Sequence, residues 1–111
     1  MDAKLLVWVG SAREDLRAMP AAVRRELGFD LRRVQRGELP RDWKPIPSVG
    51  AGVVEIRVQV GGAFRPMYVA RYLEGIYVLH VFHKKSRKTA SLDTALARTR
   101  LVAVRRARKE G

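Results

Sequence analysis

An alternating run in the middle of the chain constrains the fold more than any other feature. Residues 54–60 carry valine or isoleucine at every even position, with Glu55, Arg57 and Gln59 between them. Side chains alternate between the two faces of a strand, so this pattern predicts a strand with one buried and one wet face. Gly61-Gly62 and Glu74-Gly75 are turn dipeptides. They predict two further strands, Phe64 to Leu73 and Ile76 to Phe82, and hence an antiparallel meander.

The hydrophobic period before this meander is helical. Residues 3–9 form an apolar, β-prone run that Gly10 ends, which predicts a first strand. Ser11 and Glu14 have the spacing of a capping box and predict a short helix. Pro20 is predicted to be the first residue of a second helix, which stops at Gly37. The buried stripe predicted for this second helix consists of Val23, Leu27, Leu31 and Val34.

Two segments depart from regular patterns. Residues 39–52 contain three prolines and two glycines, so we predict an irregular connection that is too short to separate two domains. Pro66 interrupts the second meander strand, and because proline cannot donate to the ladder it predicts an edge position or a bulge.

A last helix is predicted from about Ser91, with Thr89 or Ser91 as its N-cap. Its predicted inward stripe consists of Leu92, Ala95, Leu96, Thr99, Val102 and Ala103. The whole chain, 1–111, is therefore expected to be one α+β domain in which an N-terminal strand and helical hairpin, an antiparallel meander and a C-terminal helix pack on one sheet.

The charge of the chain indicates its class of partner. Twenty-three Lys and Arg against eleven Asp and Glu give a net charge of +12. Such an excess attracts polyanions, and RNA, DNA, an anionic membrane and an acidic protein all remain open at this point. Cysteine is absent, which excludes disulfides and thiolate metal sites and favours a reducing compartment. No apolar run approaches the ~20 residues of a membrane span, so a cytoplasmic location is expected.

The basic residues concentrate at the end of the third meander strand. If the strands pair as predicted, Arg57, Arg65 and the group from Lys84 to Lys88 converge on one sheet face and can bind phosphates. RNA supplies its own 2′-hydroxyl nucleophile, so a lysine with a lowered pKa suffices as base while an arginine holds the phosphate. His83 is an alternative acid or base. These residues permit cleavage without requiring it.

Metal-dependent chemistry finds little support in the sequence. Glu55 is the only acid on the first meander strand, and no second carboxylate accompanies it. His80 and His83 are three apart on a predicted strand, which places them on opposite faces and makes them a poor metal pair. We interpret His80 as a structural residue.

Several stretches together resemble one known family. They are residues 54–57, 62–65, 68–71 and 77–89, and the run from Phe82 to Thr89 is similar to a Phe-x-Lys-Lys-Ser/Thr-x-Lys-Thr-Pro signature. The similarity extends from residue 43 to about 105 and includes Ala95, Arg98 and Arg100. It identifies the chain as resembling the phage-derived, HigB-like branch of the RelE/ParE superfamily of type II toxin–antitoxin toxins.

The resemblance implies a toxin that cleaves mRNA, commonly on the ribosome, and so inhibits translation without metal or cofactor. It implies a cognate antitoxin, often an acidic helix-turn-helix protein, which suits a partner of +12. The catalytic residues that it implies are Arg57, Arg65, Lys84, Lys85 and Lys88. The RNA-binding residues that it implies are His83, Arg87 and Arg98. Among these we expect Arg57 and Arg65 to contact phosphate and the transition state, and a signature lysine to move the proton.

Two positions depart from the family pattern. Ala90 stands where the signature has proline, and Pro66 replaces an apolar strand residue. The alternative functions are a non-catalytic toxin of the same fold directed at gyrase, and a basic RNA-binding module. A gyrase inhibitor would depend on its helices and C-terminal tail, whereas an RNA-cleaving protein needs Arg65 and the signature lysines to converge.

Overall fold

A mixed sheet with helices on both faces forms the centre of the molecule. The computed structural model describes residues 3–85 and 91–110, with Glu110 described for its backbone only. Its elements are β1 (Leu6–Trp8), α1 (Ala12–Arg17), α2 (Ala21–Gln35), β2 (Trp43–Pro45), β3 (Val53–Ile56), β4 (Val58–Gln59), β5 (Ala63–Tyr72), β6 (Gly75–Lys84) and α3 (Ser91–Glu110). Within the described residues the six strands run in the order β1-β6-β5-β3-β2, with β4 also paired to β5. Strand β1 is parallel to β6 and the other pairs are antiparallel. The predicted α+β class is confirmed.

The sheet separates two hydrophobic cores. Helices α1 and α2 pack on what we call the hairpin face, against Ile56, Tyr68 and Val78. All four residues of the predicted α2 stripe are buried there, which confirms that prediction. Helix α3 packs on the opposite face, which we call the α3 face, against Met67 and Leu79. Because neighbouring residues of β5 and β6 point to opposite faces, each strand supplies both cores.

The predicted inward stripe of α3 is wrong. Leu92 is 78% exposed and Val102 is 40% exposed, and the helix instead buries Ala97, Leu101 and Val104. The predicted stripe of Leu92, Ala95, Leu96, Thr99, Val102 and Ala103 is exposed except at Leu96, which is half-buried. Alanine, leucine and valine lie around most of the circumference of α3, so a helical period fits more than one stripe. Contact with the sheet decides between them.

The ends of α1 and α2 follow their sequence signals only in part. The capping box is absent, because the Ser11 hydroxyl donates to the Asp15 carboxylate at 2.8 Å and no side chain caps α1. Pro20 is the N-cap of α2 and precedes its first residue. Gly37 adopts a left-handed φ of 84° directly after the C-cap, as a glycine stop does.

The prediction of an irregular connection before the meander is wrong in one part. Trp43 to Pro45 form the edge strand β2, paired with β3, and an edge strand tolerates a proline. The predicted strand over 54–60 is interrupted at Arg57, whose backbone N–H donates to the Asp42 carbonyl at 2.9 Å.

Pro66 lies in β5, inside the sheet, so of its two predicted settings the edge position is wrong and a bulge is the one that the register supports. The register pairs Glu55 with Met67 and Val58 with Phe64. The interruption between β3 and β4 therefore lies opposite Pro66, where a missing N–H disturbs the ladder least. A register shift follows one residue later, between Met67 and Tyr68.

Candidate nucleic-acid interface

Helix α3 leaves one end of the α3 face uncovered. The helix reaches β6 at Leu79 and Phe82, and the Asp93 carboxylate lies 2.7 Å from His80 Nε2. Lys84 is two residues beyond Phe82 on the same strand and so projects from the same face. Arg65 lies directly across from Phe82, which places its side chain on this face too. The structure thus brings together Arg65 and Lys84, as the strand pattern predicts.

Arg65 lies beneath this surface. Only 5% of the residue is exposed, its Nε is 3.5 Å from Glu55 Oε1, and its Nη1 donates to the Phe64 carbonyl at 3.1 Å. Glu55 is fully buried on β3. Each of two buried opposite charges is stabilised by the other, because a buried charge without a counter-ion carries a large desolvation penalty. Arg65 is therefore held in one place by its counter-ion.

Lys84 is half-buried at the end of β6. Its partial burial, and then repulsion from the Arg65 guanidinium, lower the pKa of its ammonium below the ordinary value. Lys44 and Arg57 lower this pKa further, while Glu55 opposes them. A lysine in such a setting exchanges its proton more readily at neutral pH than a solvated one. We call Lys44, Arg57, Arg65 and Lys84 the sheet-face cluster.

Arg57 is the exposed member of this cluster, and Lys85 follows Lys84 in the chain. The exposed Arg57 occupies the break between β3 and β4, with its Nη1 4.0 Å from Asp42 Oδ1. At that distance a solvent-exposed ion pair is weak, so the guanidinium can exchange partners. Lys85 is exposed and follows the last residue of β6. Arg87 and Lys88, the other signature residues predicted for the site, lie outside the described residues, as do Ser86, Thr89 and Ala90.

The structure does not bring His83 and Arg98 to the cluster. The exposed His83 ring stacks on Phe64 on the hairpin face, with centroids 4.5 Å apart and planes 13° apart. His80 faces α3, so the predicted placement of the two histidines on opposite faces is confirmed. Arg98, on α3, donates from Nε and Nη2 to the Ser48 carbonyl at 3.0 and 2.7 Å. In this arrangement its fork ties α3 to the loop before β3.

Sequence reasoning missed two members of the site. Lys44 lies in a segment predicted to be irregular, and only its pairing opposite Glu55 in the β2–β3 ladder brings it to this face. Glu55 is the buried counter-ion of Arg65, whereas the sequence presented it only as a strand acid without a second carboxylate. An acidic residue in a predicted strand, beside a second predicted strand that carries an arginine, is the signal that could have suggested the Glu55–Arg65 pair.

Within residues 3–85 and 91–110 no group of three or more His, Cys, Asp or Glu side chains is arranged to hold a metal ion. No helix in the same part of the chain is both long enough and apolar enough to cross a membrane.

Comparison with known families identifies the chain. Residues 14–102 match the family described as phage derived protein Gp49-like (DUF891). The chain belongs to the Gp49-like family. This is a RelE/HigB-like toxin family of toxin–antitoxin systems, and membership implies an antitoxin partner. The Gp49-like match includes the whole sheet-face cluster and ends within α3, before Arg105. A search of curated proteins found no match to this chain.

Proposed function

We propose that this Gp49-like protein is the toxin of a type II toxin–antitoxin pair, of the HigB-like branch, and that it cleaves mRNA in the cytoplasm, at the ribosome, without metal or cofactor. The observation that carries the proposal is the half-buried Lys84 above the buried Arg65, with Lys44 and Arg57 beside it. Family membership supports the toxin, and the chemistry of this cluster supports RNA cleavage.

The cluster contains the groups that transfer of an RNA phosphate requires. Neutral Lys84 removes the proton from the 2′-hydroxyl, the 2′ oxygen bonds to phosphorus, and the bond to the 5′ oxygen breaks. The leaving oxygen takes a proton from Lys85 or Lys88, and the products are a cyclic phosphate and a 5′-hydroxyl end. Arg57 is exposed and can hold the phosphate in a bidentate fork.

Arg65 contributes in a different way from Arg57. Because its side chain is buried and paired with Glu55, it acts as a fixed positive charge below the reacting phosphate. Fixed charges of this kind stabilise the developing negative charge without reorganising during the reaction. The same charge favours the neutral form of Lys84, so one residue supports both the base and the transition state.

The test is cleavage of a purified mRNA, incubated with ribosomes and, separately, alone in chelator, with the new 5′ ends mapped in both. Lys84→Met removes the base and is expected to slow cleavage by about 10²- to 10⁴-fold, the usual contribution of a general base. Arg25→Ala is the matched control, since it removes one exposed cation from α2 on the opposite face of the sheet. We expect it to cleave at the wild-type rate.

Expression in cells separates the proposal from its alternatives. Wild-type protein should arrest growth and generate new mRNA 5′ ends, and Lys84→Met should do neither. Growth arrest without new ends would contradict RNA cleavage and favour a gyrase-directed toxin. Binding to RNA without arrest or cleavage would favour a basic RNA-binding module.

A further inference from the structure

A second basic surface lies at the other end of the α3 face. A groove of about 550 Å³ runs between the C-terminal half of α3 and the end of β5. Five cations line it. Arg108 is paired with Glu74, and we call the other four, Arg71, Arg105, Arg106 and Lys109, the basic groove. Three of them follow residue 102, where the Gp49-like match ends. Most of the charge of the basic groove therefore lies outside the matched region.

The cations of the basic groove lack counter-ions in the described part of the chain. Arg108, beside them, pairs with Glu74 at 3.0 Å and lies over the Tyr72 ring at 3.8 Å. None of the four residues of the basic groove lies within ion-pair distance of a carboxylate whose side chain the structure describes. Attraction to the helix dipole accounts for cations in the last turns of α3. It does not account for Arg71, which is on β5.

The chemistry of the groove favours a phosphate chain over an acidic protein. Three of its four cations are arginines, whose planar forks match phosphate oxygens. Protein interfaces instead centre on exposed aromatic or apolar anchors, and here the Arg108 guanidinium already covers the Tyr72 ring. The groove therefore offers charge and hydrogen-bond donors around a single exposed apolar lining residue, Val102, with its aromatic ring already covered.

The basic groove and the sheet-face cluster lie along the same strand. Arg65 and Arg71 are six residues apart on β5, which corresponds to about 20 Å of extended chain. That separation is long enough for several nucleotides of single-stranded RNA.

We propose that the basic groove is a second contact for the substrate RNA, which holds phosphates of the same strand several nucleotides away from the bond that is cleaved. The inference rests on the proposed function, since it assigns an extended RNA substrate to the same protein. It predicts that affinity depends on RNA length, because only a longer strand can reach both regions.

The test compares Arg105→Gln/Arg106→Gln with Arg24→Gln/Arg25→Gln, a matched pair that removes the same charge from exposed positions on α2. The probes are 2′-O-methyl RNAs of about 4 and about 16 nucleotides, which cannot be cleaved and which cover the usual range of single-strand site sizes. For the long probe, the groove variant should bind about tenfold more weakly, and its salt slope should be smaller by about 0.7 for each phosphate that it no longer neutralises. The short probe should bind as it does to the wild type, and the control pair should change neither.

Three outcomes would overturn the inference. In the first, the groove variant binds both probe lengths more weakly by the same factor. In the second, the control pair weakens binding of the long RNA as much as the groove variant does. In the third, the groove variant binds the long RNA as the wild type does but no longer binds a poly-glutamate peptide. The last would assign the groove to an acidic protein. Unfolding midpoints of all variants should match the wild type, since Arg105 is half-buried and the other three substituted residues are exposed, so none is a core residue. Because the probes cannot be cleaved, failure of the cleavage assay would contradict the proposed function without deciding the result for the groove.

Discussion

In the described part of the chain each face of the sheet buries one carboxylate against an arginine, and the two pairs are built differently. On the hairpin face Asp30 is 1% exposed, and on the α3 face Glu55 is fully buried. Arg41 approaches Asp30 from the loop after α2, whereas Arg65 approaches Glu55 from the neighbouring strand. The side chain of Arg41 remains 45% exposed, while that of Arg65 is 7% exposed.

The hydrogen bonds distinguish the pairs further. Arg41 donates to Asp30 from its backbone N–H at 3.0 Å and from Nε and Nη2 at 3.1 Å, and it donates to Glu26 at 2.9 Å. These bonds, with Asp30 first, raise the pKa of Arg41 above its already high value. Arg65 reaches Glu55 only at 3.5 Å, and in the described part of the chain its Nε makes no hydrogen bond. The first pair is therefore closed by several hydrogen bonds, whereas the Arg65 Nε faces the Glu55 carboxylate without hydrogen-bond geometry.

Removal of Glu55 should have the largest effect on stability. Glu55→Ala leaves the Arg65 guanidinium buried without its counter-ion, and we expect a loss of about 3–5 kcal/mol in the free energy of unfolding. Urea denaturation measures it. The double variant Glu55→Leu/Arg65→Met should recover most of this loss while it abolishes cleavage. A double variant as unstable as the single one would show that the pair is a structural element like Arg41 and Asp30.

Removal of Arg41 should destabilise less and leave the chemistry intact. Arg41→Ala leaves the buried Asp30 carboxylate without its main partner. Because the position of Arg41 is exposed, water can replace part of the missing guanidinium, so we expect a loss of about 2–3 kcal/mol in the free energy of unfolding. Cleavage per folded molecule should equal the wild-type value. A loss of cleavage in folded Arg41→Ala would remove the functional difference between the two pairs.

The pH dependence of stability should identify Lys84 as a charge held beside the Glu55–Arg65 pair. Its pKa is lowered on folding, so the folded state disfavours the charged form and the unfolded state binds more protons just below the ordinary lysine pKa. The wild type should therefore gain stability as pH rises through that window. Lys84→Met should lack this gain and be the more stable protein at neutral pH. Denaturation at neutral and alkaline pH checks both, and a constant difference between the two proteins would contradict the burial of the charge.

The smallest effect concerns Tyr68, which reports the charge of Asp30. Burial first, and then the Asp30 carboxylate, raise the pKa of Tyr68 to about 12. Asp30→Asn should lower this value only in part, because the burial remains. Tyrosinate absorbance measures the shift, with Tyr68→Phe as the reference. The wild type should lose stability as pH rises above the ordinary tyrosine pKa, because ionised Tyr68 favours the unfolded state.

Local patterns explain which parts of this structure were predictable. The stripe of α2, the turns at 61–62 and 74–75, and the convergence of Arg65 and Lys84 all follow from residues close together in the chain. Strand period and turn position suffice for these, since β5 and β6 form a hairpin. Strand β2, the break at Arg57 and the position of Pro66 depend on which strands become neighbours, and no local signal carries that information.

The order of amino acids was enough to determine the +12 charge, the helices α1, α2 and α3, the strands β1, β5 and β6, and the position of Lys84 at the end of β6. Tertiary packing determined which side of α3 is buried, that Lys44 joins the cluster, and that Arg65 lies beneath the surface against Glu55. The physical reason is the range of the interactions. Side-chain period and turn chemistry act over a few residues, whereas burial and charge pairing depend on groups that the fold brings together from distant parts of the chain.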